Sequence, residues 1–94
     1  MLDLILFVWI FNGSQRKAII KALGFPMTPR EIRQRSLHYN KKISLNHTSD
    51  VLRAFVCKGL AVCLTPEKRK GRIYRLTQEG EEIRTTLLKM QQKP

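Results

Sequence analysis

The stretch Met27-Thr28-Pro29-Arg30-Glu31-Ile32 reads as a helix start at every position. Thr28 stands in the N-cap slot, where its hydroxyl can accept a hydrogen bond from the amide three residues on. Glu31 holds that third position and can return the bond to the Thr28 amide, closing a capping box. Pro29 at the first helical position loses nothing, because that amide has no partner in any helix. Met27 and Ile32 flank the box as a hydrophobic staple. The stretch predicts a helix beginning at Pro29 and ending near Leu37–Tyr39.

Working outward, the same logic divides the rest of the chain. Upstream, Asn12-Gly13-Ser14 breaks an apolar run, and Ser14 is the expected N-cap of a helix over Gln15–Leu23. Ala18, Ile19, Ala22 and Leu23 recur at helical spacing, and Gly24 suits the residue just past the helix end. Downstream, Ser44 caps a further helix. Its apolar stripe is Leu45, Thr48, Leu52, Phe55 and Gly59, with Val51 and Val56 at the edges. Gly59 stops it. Leu60–Leu64 and Arg72–Leu76 then read as strands around a charged loop, Thr65–Gly71, which makes a hairpin. In the second strand Tyr74 and Leu76 share a face and Arg75 takes the other. A last helix starts at Thr77, with Glu79, Glu81 and Glu82 early and Lys89 and Lys93 late, as the helix dipole favours. Its stripe is Ile83, Leu87 and Met90. The class is α+β: a three-helix core, a two-stranded hairpin and a C-terminal helix.

With 94 residues the chain has room for one core, hence one domain. Within it, 1–13 is an apolar N-terminal segment, 14–76 the core and hairpin, and 77–94 the final helix. The formal net charge of +11 calls for a polyanionic partner, with nucleic acid first and an anionic membrane surface second. Residues 14–76 hold fifteen Lys and Arg against Glu31, Asp50 and Glu67, so the charge belongs to the folded middle and not to a disordered polybasic anchor. The run Leu2, Leu4–Phe11 is about half the roughly 20 residues a membrane span needs, and it lacks the basic lead of a signal peptide. It is expected to be a core or subunit-contact segment.

Cys57 and Cys63 make neither a disulfide framework nor a zinc site, and are read as reduced thiols of a cytoplasmic protein. Adding His38 and His47 supplies no paired ligand spacing for a metal. No nucleophile, base and orienting group, no phosphate-binding glycine loop and no carboxylate cluster is evident. The expectation is a protein that is not an enzyme, with no cofactor and no small-molecule ligand.

The element order resembles that of winged helix-turn-helix transcriptional regulators, especially MarR-like, ArsR-like and archaeal versions. Four pieces carry the resemblance: Thr28–Ile32, Ser49–Phe55, Gly59-Leu60-Ala61-Val62, and Arg72–Gly80. The resemblance covers roughly residues 14–84, and Ser36–Ile43 is longer than the family's usual tight turn. The resemblance implies that the helix of about 44–58 enters the major groove of double-stranded DNA. The loop of about 65–71 would then be the wing, on the backbone or in the minor groove.

At about 100° per residue, the face opposite the apolar stripe holds Asn46, Asp50 and Arg53, with Cys57 one turn on and His47 and Ser49 at the flanks. Asn can bond adenine bidentately, Arg guanine, and Asp can accept from cytosine. Asp50 has a second role open to it, holding Arg53 in place. Lys68, Arg69, Lys70 and Arg72 are wing candidates for phosphate contact. Arg30, Arg33, Arg35, Lys41 and Lys42 are candidates for the flanking backbone. The expected function is sequence-specific transcriptional regulation by occupancy of DNA. Non-specific or architectural DNA binding, or a protein-interaction module of the transcription machinery, are the alternatives; RNA is disfavoured because no aromatic stacking platform stands out. Phe7, Trp9, Phe11 and Leu88 have no evident place in a three-helix core, so residues 2–11 and the last helix are expected to pack together as a homodimer interface.

Overall fold

The computed structural model describes residues 2–91. Five helices and one hairpin follow in the order α1 (Leu4–Phe11), α2 (Ser14–Ala22), α3 (Pro29–Ser36), α4 (Leu45–Cys57), β1 (Ala61–Cys63), β2 (Tyr74–Leu76) and α5 (Gln78–Gln91). The strands pair antiparallel, with Ala61 opposite Leu76 and Cys63 opposite Tyr74. The fold is α+β. Lys93 lies outside the described residues.

The capping box forms as its residues dictate. The Thr28 amide donates to Glu31 Oε1 at 2.9 Å, and the Glu31 amide donates to Thr28 Oγ1 at 3.4 Å. Met27 and Ile32 on either side are both buried. A second box starts α4: the His47 amide donates to Ser44 Oγ at 3.0 Å, and the Ser44 amide donates to His47 Nδ1 at 3.3 Å.

The two bonds from Thr28 hold the Glu31 carboxyl below its ordinary value of 4.5, with Arg35 helping. A carboxyl lowered in this way stabilises the fold above its unfolded pKa, and the contribution is lost as pH falls through the folded value. Thr28→Ala is expected to cost about 1 kcal/mol at neutral pH. In Glu31→Gln, thermal melts between pH 7 and pH 3 should lose the part of the acid dependence that this carboxyl supplies. A Glu31→Gln profile superimposable on the parent's would show the box to be idle.

Around this start, other local expectations are corrected. The cap of α2 is Gly13, with no side-chain bond, and Ser14 is already helical. The reason is the tight exit from α1, where the Asn12 and Gly13 amides fold back onto Val8 and Ile10. Gly24 is not left-handed; the positive-φ glycines are Gly59 (φ 76°) and Gly71 (φ 67°). Gly24 is instead the place where the Arg84 guanidinium lies against the backbone, 2.8 Å from where a Cβ would be. In α4, Val51 joins Thr48, Leu52 and Phe55 inside, whereas Leu45 and Val56 are exposed. Met90 of α5 is exposed as well, leaving Ile83 and Leu87 to face the core.

The apolar N-terminal run is a helix, capped by Asp3 Oδ1 accepting from the Ile5 and Leu6 amides. Its inner side joins the core, one of the two places expected for this run, although Phe7 and Trp9 had no evident place in a three-helix core. Ile10 is fully buried, Leu6, Phe7 and Trp9 pack against the core, and the Trp9 ring meets Phe55 edge-on at 6.0 Å. Leu2 lines a cleft beside Gln78 and Thr85 of α5. The outer side of α1 is bare, with Leu4, Ile5, Val8 and Phe11 at 68, 83, 51 and 41% exposure.

Long-range backbone bonds place the hairpin. Tyr74 commits both its backbone groups to Met27, at 2.8 and 3.0 Å, which brings the approach to α3 alongside β2. Thr77 donates its amide to Leu60 O at 2.9 Å and its hydroxyl to Gly59 O at 2.7 Å, clamping the start of α5 to the α4–β1 turn.

Candidate nucleic-acid interface

Because Met27 and β2 are paired, the start of α3 stands beside the hairpin loop, and α4 runs along the same side. Two neighbouring clefts record the meeting. One, about 450 Å3, has Pro29 and Arg30 of α3, Leu45 and Ser49 of α4, and Lys70 and Gly71 of the loop on its walls. The other has Ser49, Leu52 and Arg53 of α4 facing Arg69, Gly71 and Arg72. Arg30, Arg53, Arg69, Lys70 and Arg72 therefore converge from three segments, and no described carboxylate lines either cleft. Concave surface walled by one sign of charge focuses the field on a polyanion.

The loop holds its shape through internal bonds. The Ile73 amide donates to Thr65 Oγ1 at 2.9 Å, the Lys68 amide to Thr65 O at 3.1 Å, and Arg72 Nε to Lys68 O. Gly71 at positive φ turns the chain back toward β2. Lys68 itself is exposed but lines neither cleft.

The other candidates divide. Asn46 is exposed one turn ahead of the Arg53 cleft. Asp50 contacts the Arg53 guanidinium, the two side chains 66 and 71% exposed. A pair so open to water contributes at most about 1 kcal/mol, so it orients Arg53 more than it stabilises the fold. His47 is exposed, yet its Nδ1 is occupied by the Ser44 amide, which leaves Nε2 as the outward group. Lys41 and Lys42 are exposed on the turn before α4 and line neither cleft. Arg33 is withdrawn inward, its Nε donating to Ile43 O at 3.0 Å, and Arg35 lies on another side of α3.

Among the residues that periodicity misplaced, Leu45 is the one at this site. It stands one residue past the Ser44 cap, ahead of the first buried position, Thr48, so it faces the cleft. Cys57 and Cys63 are both free thiols. Among the described residues no group of three His, Cys, Asp or Glu is placed to hold a metal, and no helix is long and apolar enough to cross a membrane. In comparison with known proteins, no family model, curated protein or solved structure matches the chain.

Proposed function

We propose that the chain is a winged helix-turn-helix protein that binds double-stranded DNA sequence-specifically and regulates transcription by occupying its site in the cytoplasm. In this reading α4 enters the major groove and the β1–β2 loop is the wing. The observation that carries it is the sharing of clefts by Ser49 and Arg53 of α4 with Arg69, Lys70 and Arg72 of the loop. A helix of 13 residues is about 20 Å long and fits a major groove about 12 Å wide. Asn46, Ser49 and Arg53 would meet base edges. Arg30, Arg69, Lys70 and Arg72 would hold phosphates, with Lys68, Lys41 and Lys42 reaching the flanking backbone.

Selection of bound duplexes from a random pool at near-physiological salt tests the reading. An enriched motif is the expected result. Equal affinity for every duplex would leave only non-specific coating by the same cations, and weak binding throughout would favour a protein-interaction module.

The bare stripe of α1 fits a second copy of the chain, with two α4 helices then reaching grooves about 34 Å apart on an inverted repeat. The expected contribution of α5 shrinks, since Ile83 and Leu87 are spent in the core. Val8→Lys should convert the dimer to a monomer in sedimentation at micromolar concentration while leaving the circular dichroism spectrum intact. A parent chain that is itself monomeric there would remove the dimer.

A further inference from the structure

A separate cleft of about 390 Å3 opens between α2, α3 and α5. On α3 it is lined by Gln34 and Arg35, and it shares no lining residue with the two clefts described above. The cleft is therefore separate from the surface described above. Lys21, Arg35, His38 and Arg84 line it together with the rings of Phe25 and Tyr39, and no described carboxylate does. Glu31, one turn before Arg35, feels that charge, but its carboxylate is bonded to the Thr28 amide and hydroxyl.

The cations are arranged, not scattered. Arg84 is anchored by its Nε to Lys21 O at 3.0 Å, with its outer nitrogens against Gly24. The Arg35 guanidinium stands over Phe25 at 4.7 Å and the Lys21 ammonium over Tyr39 at 5.4 Å. His38 meets the Tyr39 ring edge-on at 5.1 Å. Partial burial, and then the neighbouring Lys17, make it harder for Lys21 to hold its proton. Like charges gathered in one hollow repel one another until an anion enters. Arginine forks match the oxygens of a phosphate. Phe25 and Tyr39 remain 52 and 40% exposed, so an apolar wall stands beside the charge. The volume is in the range of small-molecule sites, roughly 300–1,000 Å3.

We propose that this cleft binds a small phosphorylated ring compound of the nucleoside monophosphate class, its phosphate held by Lys21, Arg35 and Arg84 and its ring set against Phe25 and Tyr39. The site stands independently of the DNA reading.

Calorimetric titration of the full chain with 5′-AMP, adenosine and inorganic phosphate tests it. The nucleotide should bind at least about tenfold more tightly than either fragment, since each charge-assisted bond is typically worth a factor of ten or more. Arg35→Gln and Lys21→Gln should each weaken the nucleotide about tenfold, by the same bond, and Arg69→Gln should leave it unchanged. Phe25→Ala, at a half-exposed position outside the buried core, should reduce nucleotide affinity to that of phosphate. Equal binding of phosphate and nucleotide, or an equal loss in Arg69→Gln, would reduce the site to diffuse attraction by a basic surface. A comparable loss of duplex DNA binding in Arg35→Gln would assign the cleft to the nucleic-acid surface and overturn the proposal.

Discussion

Gly80→Ala is expected to lower stability by about 2–3 kcal/mol, although alanine in an ordinary helix position gains up to about 1 kcal/mol over glycine. The sign reverses because α5 presses its first turn onto the start of β1. A Cβ at position 80 would stand 2.2 Å from the Leu60 carbonyl oxygen and 3.1 Å from Leu76 Cβ and Cδ2. A flexible side chain could step aside, but a carbonyl in a bonded turn cannot. Leu60 O already accepts from the Thr77 amide at 2.9 Å, and Thr77 Oγ1 accepts from the Gly80 amide at 3.3 Å. Relief therefore requires lifting α5 away from the sheet, which would loosen Ile83 and Leu87 as well. For a domain of this size the loss corresponds to a melting temperature lower by roughly 10–20 °C. Thr85→Ala, exposed on the same helix, should move stability by no more than about 0.5 kcal/mol. A Gly80→Ala variant as stable as the parent would mean that α5 does not approach Leu60 this closely.

The second large effect follows from the proposed DNA reading and separates reading bases from gripping phosphates. Arg53→Ala should reduce discrimination between the preferred duplex and a variant at one position by about 1–3 kcal/mol. Arg69→Ala should weaken all duplexes alike and lower the slope of log affinity against log salt by about one unit. The contrast follows from placement. Arg53 projects from α4, oriented by Asp50, where the grooved side of a duplex would lie, whereas Arg69 projects from the loop opposite it. Competition binding at several salt concentrations supplies both numbers. If Arg53→Ala weakened every sequence equally, base reading by Arg53 would be excluded, and the cations of both segments would be doing the same task.

Much of this architecture is legible in short stretches of sequence because its determinants are local. A capping box needs only a threonine or serine and a partner three residues on, and Thr28 with Glu31 meets that condition without help from the rest of the chain. Gly59 ends α4 for a reason internal to its own backbone, a φ of 76°. Periodicity likewise found Thr48, Leu52 and Phe55. It failed at the rim of each stripe, since an apolar residue at helical spacing is buried only if a neighbour arrives to cover it. Among the described residues Leu45, Val56 and Met90 have no such neighbour, and Val51 does. The same limit applies to the candidate site: the identities of Arg53 and of Lys68–Arg72 were plain, but not which of the cations would stand together.

What the residues determined by themselves, then, is every element but the α1 helix, the capped starts of α3 and α4, and the concentration of positive charge in the middle of the chain. What the tertiary structure alone decided is the grouping. Tyr74 bonding Met27 across 47 residues sets Arg30 beside the hairpin loop, and Trp9 against Phe55 fixes which side of α1 joins the core. Arg35, on the same helix as Arg30, is left with Lys21 and Arg84 on another face. These pairings join residues far apart in sequence, and they are chosen by how whole elements cover one another's apolar faces, which no local pattern encodes.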